Sequence, residues 1–342
     1  MAGVELAGRT LGPDHPVFVI AEIGNNHDGS VRQAERLIHA AADAGADAVK
    51  FQTHIADAEM LPSTPTPPHF DEPRYELTKR MELSLDDHRR LKVVAEELGL
   101  VFFSSPFSVE AVELLEEVGA PLYKIASGEV TNPPLLEAVA GTGKPVLLST
   151  GMSGLEDVER AAEILRSGGS QILVLQCTST YPCPPELVNL RAMVAMGDRL
   201  GCPYGLSDHT PAIYTSLGAV ALGASAIEKH FTLSKRLYGP DHHASLVPEE
   251  LAQLVDGVRQ VTAALGTGLK ERDPAHDPAR ATFEKSVVTR TAIPAGTVIE
   301  REMLTTKRPG TGIPARRVAE LLGRRTARAL DRDHLLQEAD LA

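Results

Sequence analysis

Eight times along this chain a short apolar run ends in a cluster of polar, titratable or hydroxyl residues, and a helix-like segment follows. The runs occupy residues 17–27, 48–53, 101–106, 122–129, 145–151, 172–179, 204–210 and 226–231. Buried parallel strands read as continuous Val/Ile/Leu-rich stretches, and parallel neighbours need a helical crossover. Eight such units in about 250 residues match one α/β domain, a (β/α)8 TIM barrel, whose chemistry sits where the strands end. The polar clusters fall at those ends.

A barrel over residues 1–268 leaves a polar, Pro- and Gly-containing stretch at 269–282, expected to be a linker, and a module at 283–342. In that module short β-like runs are separated by Pro-Ala-Gly and Pro-Gly turns, with a short helix expected in RRVAELLG. A domain that small is marginal alone. The 43% hydrophobic and 23% charged content is that of an ordinary globular protein. No apolar run approaches the length of a membrane span, and the start has no apolar leader core. Three cysteines, Cys177, Cys183 and Cys202, show neither zinc spacing nor a disulfide framework, so a cytoplasmic setting is expected. A formal charge of −12 argues against a nucleic-acid partner. The charge is uneven, since residues 283–342 carry 11 Lys and Arg against 8 Asp and Glu, +3 against −15 elsewhere.

Helix signals fit between the strands. Ser30 stands where an N-cap belongs and Gly45 where the following helix should stop. The one outsized connection, residues 55–80, is rich in Pro and contains PSTPTPPHF. It follows the second strand on the catalytic face, so a substrate lid is expected there.

Lys50 and Lys124 sit at strand ends, accompanied by Ser104, Ser105, Ser127, Ser149, Thr150, Thr178, Ser179 and Ser207. Lysines among convergent hydroxyls suit a phosphate or carboxylate. Any single serine could merely satisfy a backbone group, and a buried lysine could instead form a Schiff base. His209 and His230 end the seventh and eighth strands. With Glu228, Asp208, Asp241 and Glu22 nearby they read either as an open divalent metal site or as a hydrogen-bonded pair. His27, His242 and His243 are alternative ligands. Glu22 and Glu129 are the carboxylates best placed for acid–base work, or for an ion pair with Lys50 or Lys124.

Taken in order, IAEIGNNHDGS, DAVKFQT, FSSPFS, YKIASGE, LSTGMS, QCTSTYP, GLSDHT, ALGASAIEKHFTL and GPDHHASL resemble the sialic acid synthase family. The tail, from SVVTRTAIPAGT through KRPGTGIPA to ELLGR, resembles that family's antifreeze-like (SAF) domain. The resemblance implies a transferase that condenses phosphoenolpyruvate with an open-chain N-acyl amino sugar, such as N-acetylmannosamine. The products would be a nine-carbon 2-keto-3-deoxy acid and phosphate. It further implies that Lys50, Ser105, Lys124, Ser127, Ser149, Ser179 and Ser207 hold phosphoenolpyruvate, and that His209 and His230 carry the metal. That metal is manganese first, with magnesium or cobalt as alternatives. Glu22 would be the acid–base, and Gln52, Glu129, Tyr181 and Asp241 would meet the sugar. Arg308 would reach the sugar of a partner subunit in a homodimer formed by SAF-domain swapping. Gln176, Ser179 and the 55–80 segment depart from the family pattern and are expected to bear on substrate geometry. Gly128 in IASGE leans toward sialic or legionaminic acid synthases. The competing readings are a pyruvate aldolase, using Lys124 or the histidine pair, and a non-catalytic sugar-binding protein.

Overall fold

The computed structural model describes residues 3–66, 70 and 72–342, which divide into two compact units, Met1–Thr267 and Gly268–Ala342. The first unit begins with a hairpin of β1 (Val4–Leu6) and β2 (Arg9–Leu11). Eight parallel strands then close into a barrel. They are β3 (Phe18–Gly24), β4 (Ala48–Thr53), β5 (Val101–Pro106), β6 (Tyr123–Ile125), β7 (Val146–Ser149), β8 (Ile172–Cys177), β9 (Tyr204–Asp208) and β10 (Ala226–His230). Each pairs with its sequence neighbours, and β10 pairs back onto β3. All eight apolar runs of the sequence are strands of this barrel.

Side chains alternate along each strand, so one parity faces the barrel interior and the other the surrounding helices. The interior parity is apolar at the base, where Phe18, Ile20, Phe103, Leu122, Leu147, Leu173 and Leu175 form one buried cluster. The hairpin contributes Val4, Leu6 and Leu11 to that same cluster and so plugs the barrel from below. Two residues further along the same parity the chain turns polar, with Glu22, Lys50, Ser105, Lys124, Ser149, Cys177, Ser207 and Glu228. The opposite parity packs on the helices through residues such as Val19, Ile23, Phe51, Phe102, Ile125, Val174 and Ile227. Gly205, at interior parity of β9, permits a close crossing, since an added Cβ would lie 2.2 Å from the Ala226 carbonyl oxygen.

The crossovers are α1 (Val31–Asp43), then α2 (Ala56–Glu59), α3 (Arg74–Met81) and α4 (Leu85–Glu97) before β5. Next come α5 (Val109–Val118), α6 (Pro133–Ala140), α7 (Leu155–Ser167), α8 (Leu190–Leu200), α9 (Tyr214–Ala221) and α10 (Pro248–Leu265). Ser30 caps α1 by accepting from Gln33 N, and Gly45 follows it at φ 83°. The segment read as a substrate lid carries α2 and α3. Asp57 joins them through Tyr75 and Lys79, and Arg80 ties the far end to Asp28 and Glu72. Part of the proline-rich stretch, residues 67–69, and residue 71 lie outside the described residues.

The second unit holds the short helix α11 (Asp277–Phe283), within and just beyond the stretch read as a linker, and an antiparallel pair of β11 (Ser286–Thr289) and β12 (Leu304–Lys307). Val287, Ile293, Ile299, Leu304, Ile313, Leu330 and Leu336 form its own core. The helix expected in RRVAELLG is a 3-10 helix over Ala315–Leu321. Among the described residues no helix is long and apolar enough to cross a membrane.

Because Gly205 cannot accept a Cβ without moving a strand of the barrel, Gly205→Ala should lose about 1–3 kcal/mol of stability, read as a lower midpoint in urea unfolding. A midpoint equal to that of the wild type would mean that β9 and β10 can separate freely.

Candidate active site

Four charges share the upper barrel interior. Lys50 Nζ lies 2.7 Å from Glu22 Oε2 and 3.9 Å from Glu228 Oε2, and Lys124 Nζ lies 3.2 Å from Glu228 Oε1. Lys50 also donates to Ser105 Oγ at 3.2 Å, and Ser207 Oγ donates to Glu228 Oε1 at 2.8 Å. The strand register creates these meetings, since Glu22 stands opposite Lys50 and Glu228 opposite Ser207. Burial pushes the Glu228 carboxyl up, but Lys124, Lys50 and the Ser207 hydroxyl outweigh it and hold the carboxyl at about 2. Glu22 moves the other way. Burial raises it beyond what Lys50 restores, and the Glu228 charge adds to the rise. Burial lowers the Lys124 ammonium below the usual lysine range.

Beside this network the backbone makes room for small groups. A Cβ at Gly151 would fall within 2.9 Å of Ser179 Oγ, Cys177 Sγ and Ser127 Oγ, so the glycine is the floor of a cradle on which those three converge. Gly151 N donates to Ser127 Oγ, and Ser149 Oγ is buried with no hydrogen-bond partner among the described residues. Hydroxyls, one backbone N–H group and two lysines thus face a common space.

The histidines stand across from it. His209 and His230 have ring centroids 5.3 Å apart, and the Tyr181 ring packs on both. His209 Nδ1 donates to the Thr178 carbonyl at 2.9 Å, which leaves Nε2 as the nitrogen that could coordinate a metal. Burial opposes a proton on His209, yet the Cys177 sulfur and the Thr178 carbonyl outweigh it and leave the group raised. Metal binding displaces such a proton from Nε2. His230 is buried, held well below the usual histidine range by that burial, and its Nδ1 finds no hydrogen bond among the described residues. Asp241 Oδ2 lies 3.9 Å from that nitrogen. Two imidazoles in this arrangement fit a divalent ion whose other positions go to small molecules. No group of three or more His, Cys, Asp or Glu among the described residues is arranged to hold one alone.

Gly24 joins the two halves. A Cβ there would meet Gln52 Nε2, Glu22 Oε1 and His230 Cε1 at 3.2, 3.3 and 3.6 Å. Gln52 donates to Glu22 Oε1 at 2.9 Å and accepts from His54 Nε2 at 3.2 Å. Tyr181 and Asp241 therefore stand on the histidine side and Gln52 on the Glu22 side. Glu129 stands apart, held by Asn132 at 2.7 Å and raised by burial. Arg308 lies in the second unit, where its Nε donates to the Phe283 carbonyl and its guanidinium lies 5.9 Å from the Phe283 ring centre.

Six sequence expectations change. Asp208 is no metal ligand: it is at outward parity, 3.0 Å from buried Lys229, and accepts from Ser216, Thr215 and Thr210. Gln176 is also outward and donates to the Val188 carbonyl, so its departure from the family pattern concerns packing and not the substrate. His242 bonds Thr232, and His27 is held down to about 3 by burial against Phe51. Ser104 bonds Thr53 on the helix side. Glu228, valued in the sequence only as a spare metal ligand, is instead the counter-charge of both lysines. Its parity with His230, two residues on, was the available signal.

A parallel barrel with lysines, hydroxyls and paired imidazoles at its strand ends belongs to the enzymes that act on small anionic or carbonyl substrates. The chain belongs to the NeuB family, which matches residues 37–270, and its second unit to the SAF domain, which matches residues 284–342. It is 41% identical to the N,N'-diacetyllegionaminic acid synthase of Campylobacter jejuni, over 94% of this chain and 99% of that one. It is 37% identical to the human N-acetylneuraminate-9-phosphate synthase, over 97% of this chain and 94% of that one. A crystal structure of the N-acetylneuraminic acid synthetase of Leptospira borgpetersenii in complex with citrate is similar at a TM-score of 0.73 and 35% identity, covering 81% of this chain and 94% of that one. The protein is thus an enzyme of the sialic acid synthase type, a transferase that forms a carbon–carbon bond.

Replacing Glu228 by Gln should leave two buried ammonium groups without their shared partner and cost about 3–5 kcal/mol near neutral pH. A carboxyl held down by folding stabilises fully above its unfolded pKa of about 4.3 and loses that effect as pH falls toward its folded value. The stability gap between wild type and Glu228→Gln in urea should therefore narrow between about pH 4.5 and 2.5. A gap that is constant across that window would contradict the pairing.

Proposed function

We propose that the enzyme condenses phosphoenolpyruvate with an N-acyl amino-sugar aldose to give a nonulosonic acid and phosphate. The observation that carries this reading is the convergence of Lys50, Lys124 and the strand-end serines opposite the His209–His230 pair. Lys50, Ser105, Lys124, Ser127, Ser149, Ser179 and Ser207 supply donors for the carboxylate and phosphate of phosphoenolpyruvate. Gln52, Tyr181 and Asp241 flank the space left for the aldehyde end of the sugar.

His209 and His230 would hold the divalent ion, manganese by preference, which when bound supplies Lewis acidity toward a carbonyl oxygen. As C3 of phosphoenolpyruvate bonds to the aldehyde carbon, the aldehyde oxygen takes a proton from Glu22, whose raised pKa lets it carry one. The positive charge left at C2 lies near Glu228, which Lys124 and Lys50 keep ionised. Water adds at C2 and returns a proton to Glu22. The adduct then collapses to the ketone as the C2–O bond to phosphate breaks and the C2 hydroxyl proton leaves with the phosphate. Arg308, exposed beside Phe283, is proposed to complete the sugar site of a partner subunit.

The depressed Lys124 ammonium favours a second reading, a Schiff-base pyruvate aldolase. One assay separates them. With phosphoenolpyruvate and aldose, one phosphate should appear per sugar acid, with the bridging oxygen of phosphoenolpyruvate retained in it; chelator should abolish the release and Mn2+ restore it. A borohydride-trapped pyruvate adduct on Lys124, with no phosphate, would move the assignment to the aldolase.

Arg308→Ala should raise the KM for the sugar and leave that for phosphoenolpyruvate nearly unchanged, as expected for a lost ground-state contact. Mixing it with a Glu22→Gln subunit should recover part of the activity in mixed dimers. No recovery despite demonstrated subunit exchange would remove Arg308 from the partner's site.

A further inference from the structure

A cavity of about 490 Å³ opens beside Glu129, walled by α2, the chain that follows it, Arg74 at the start of α3, and Phe107. None of the lysines or serines of the anion site lines it. Its charged groups among the described residues are Asp57, Glu59 and Glu129 against a single cation, Arg74. Met60, Leu61 and Phe107 add apolar surface. The cavity is linked to the reacting centre by an unbroken series of side chains. Glu59 meets His54 Nδ1 at 2.9 Å, His54 Nε2 meets Gln52 at 3.2 Å, and Gln52 donates to Glu22. The His54 ring also stacks on Phe107 at 4.3 Å, which fixes one wall.

Such a lining has a definite preference. A phosphate ester carries about −1.5 to −2 charge, and here it would face three carboxylates with one guanidinium to answer them. Asp57 already shares a cation, Lys79, and Glu59 is engaged by the His54 ring, so these pairs leave no surplus positive charge for a ligand. Hydroxyl and amide N–H groups, in contrast, find acceptors in the carboxylates. An acyl carbonyl finds a donor in Arg74, and an acyl methyl finds Met60 and Phe107.

We propose that this cavity holds the far end of the acceptor aldose and selects an uncharged, N-acylated sugar over its phosphate ester, with Asp57, Glu59 and Arg74 as specificity-determining residues. The inference rests on the synthase reading and sharpens it. The two relatives named above divide on this point by their own names, one a diacetyllegionaminic acid synthase and the other a 9-phosphate synthase. The cavity assigns this enzyme to the unphosphorylated side.

The test is phosphate release at saturating phosphoenolpyruvate with three probes: N-acetylmannosamine, a 2,4-diacetamido-2,4,6-trideoxyhexose and N-acetylmannosamine 6-phosphate. The better neutral sugar should exceed the phosphate ester in kcat/KM by at least about tenfold. Glu59→Gln and Asp57→Asn should each narrow that ratio. Arg74→Ala, a change at an exposed side chain, should raise the KM for the neutral sugars several-fold with little effect on that for phosphoenolpyruvate. A phosphate ester used as well as or better than both neutral sugars overturns the proposal and leaves the synthase reading intact. A neutral preference that none of the three variants alters would show that selection happens elsewhere. No phosphate with any probe would reject the synthase reading itself, and this proposal with it.

Discussion

Two lysines and two carboxylates share the interior of a closed barrel, and the rest of the site is arranged around that pairing. Removing any one of them would strand a charge in a low-dielectric interior. The barrel makes the set tolerable because adjacent parallel strands bring partners level with one another. Glu22 stands beside Lys50 on one side and His230 on the other, and Glu228 stands beside Ser207. The four charges are paired before any ligand arrives, while Glu22 Oε2 and Glu228 Oε2 take no hydrogen bond among the described residues. An incoming anion exchanges partners with this set and need not bring the first counter-charge. This is the pre-organisation expected of electrostatic catalysis.

Within that frame the two ends of the pairing have separate tasks. Glu228 is fixed as an anion by its two lysines, whereas Glu22 is left with a raised affinity for a proton. Environments that push neighbouring carboxyls apart divide acid–base work from charge stabilisation. The connection from Glu22 through Gln52 and His54 then carries the influence of α2 into the centre of the barrel. The 55–80 segment is thus connected to the electrostatic site through α2.

Much of this was legible in the chain. The eight apolar runs became eight strands because a fully buried parallel strand has no solvent face to disguise it. The ion pair expected of Glu22 with Lys50 is present, at 2.7 Å. What could not be read directly was which way a strand-end residue points. Asp208 and His209 are adjacent, yet one braces a helix and the other faces the site; Gln176 and Cys177 divide in the same way. A polar cluster in sequence therefore overstates a site by about the half that faces outward. The helices within residues 55–80 were hidden for another reason. α2 is a single turn, and α3 is held by Asp57, Arg80 and buried Leu77 and Met81, contacts that leave no periodic signature in so short a span.

The hairpin at the base closes the barrel from below with Val4, Leu6 and Leu11. The interior is therefore a vessel with one mouth, and everything that enters must leave the same way. The lysine–serine level lies on the strands and the cavity beside α2 lies on the loops beyond them, so a molecule seated on the strands is overlaid by whatever binds second. Traffic through such a vessel is sequential by construction. In the proposed reaction the deeper ligand loads first, and the phosphate formed at depth waits behind the larger product. Turnover then depends on how quickly the upper layer clears as well as on the chemistry beneath it.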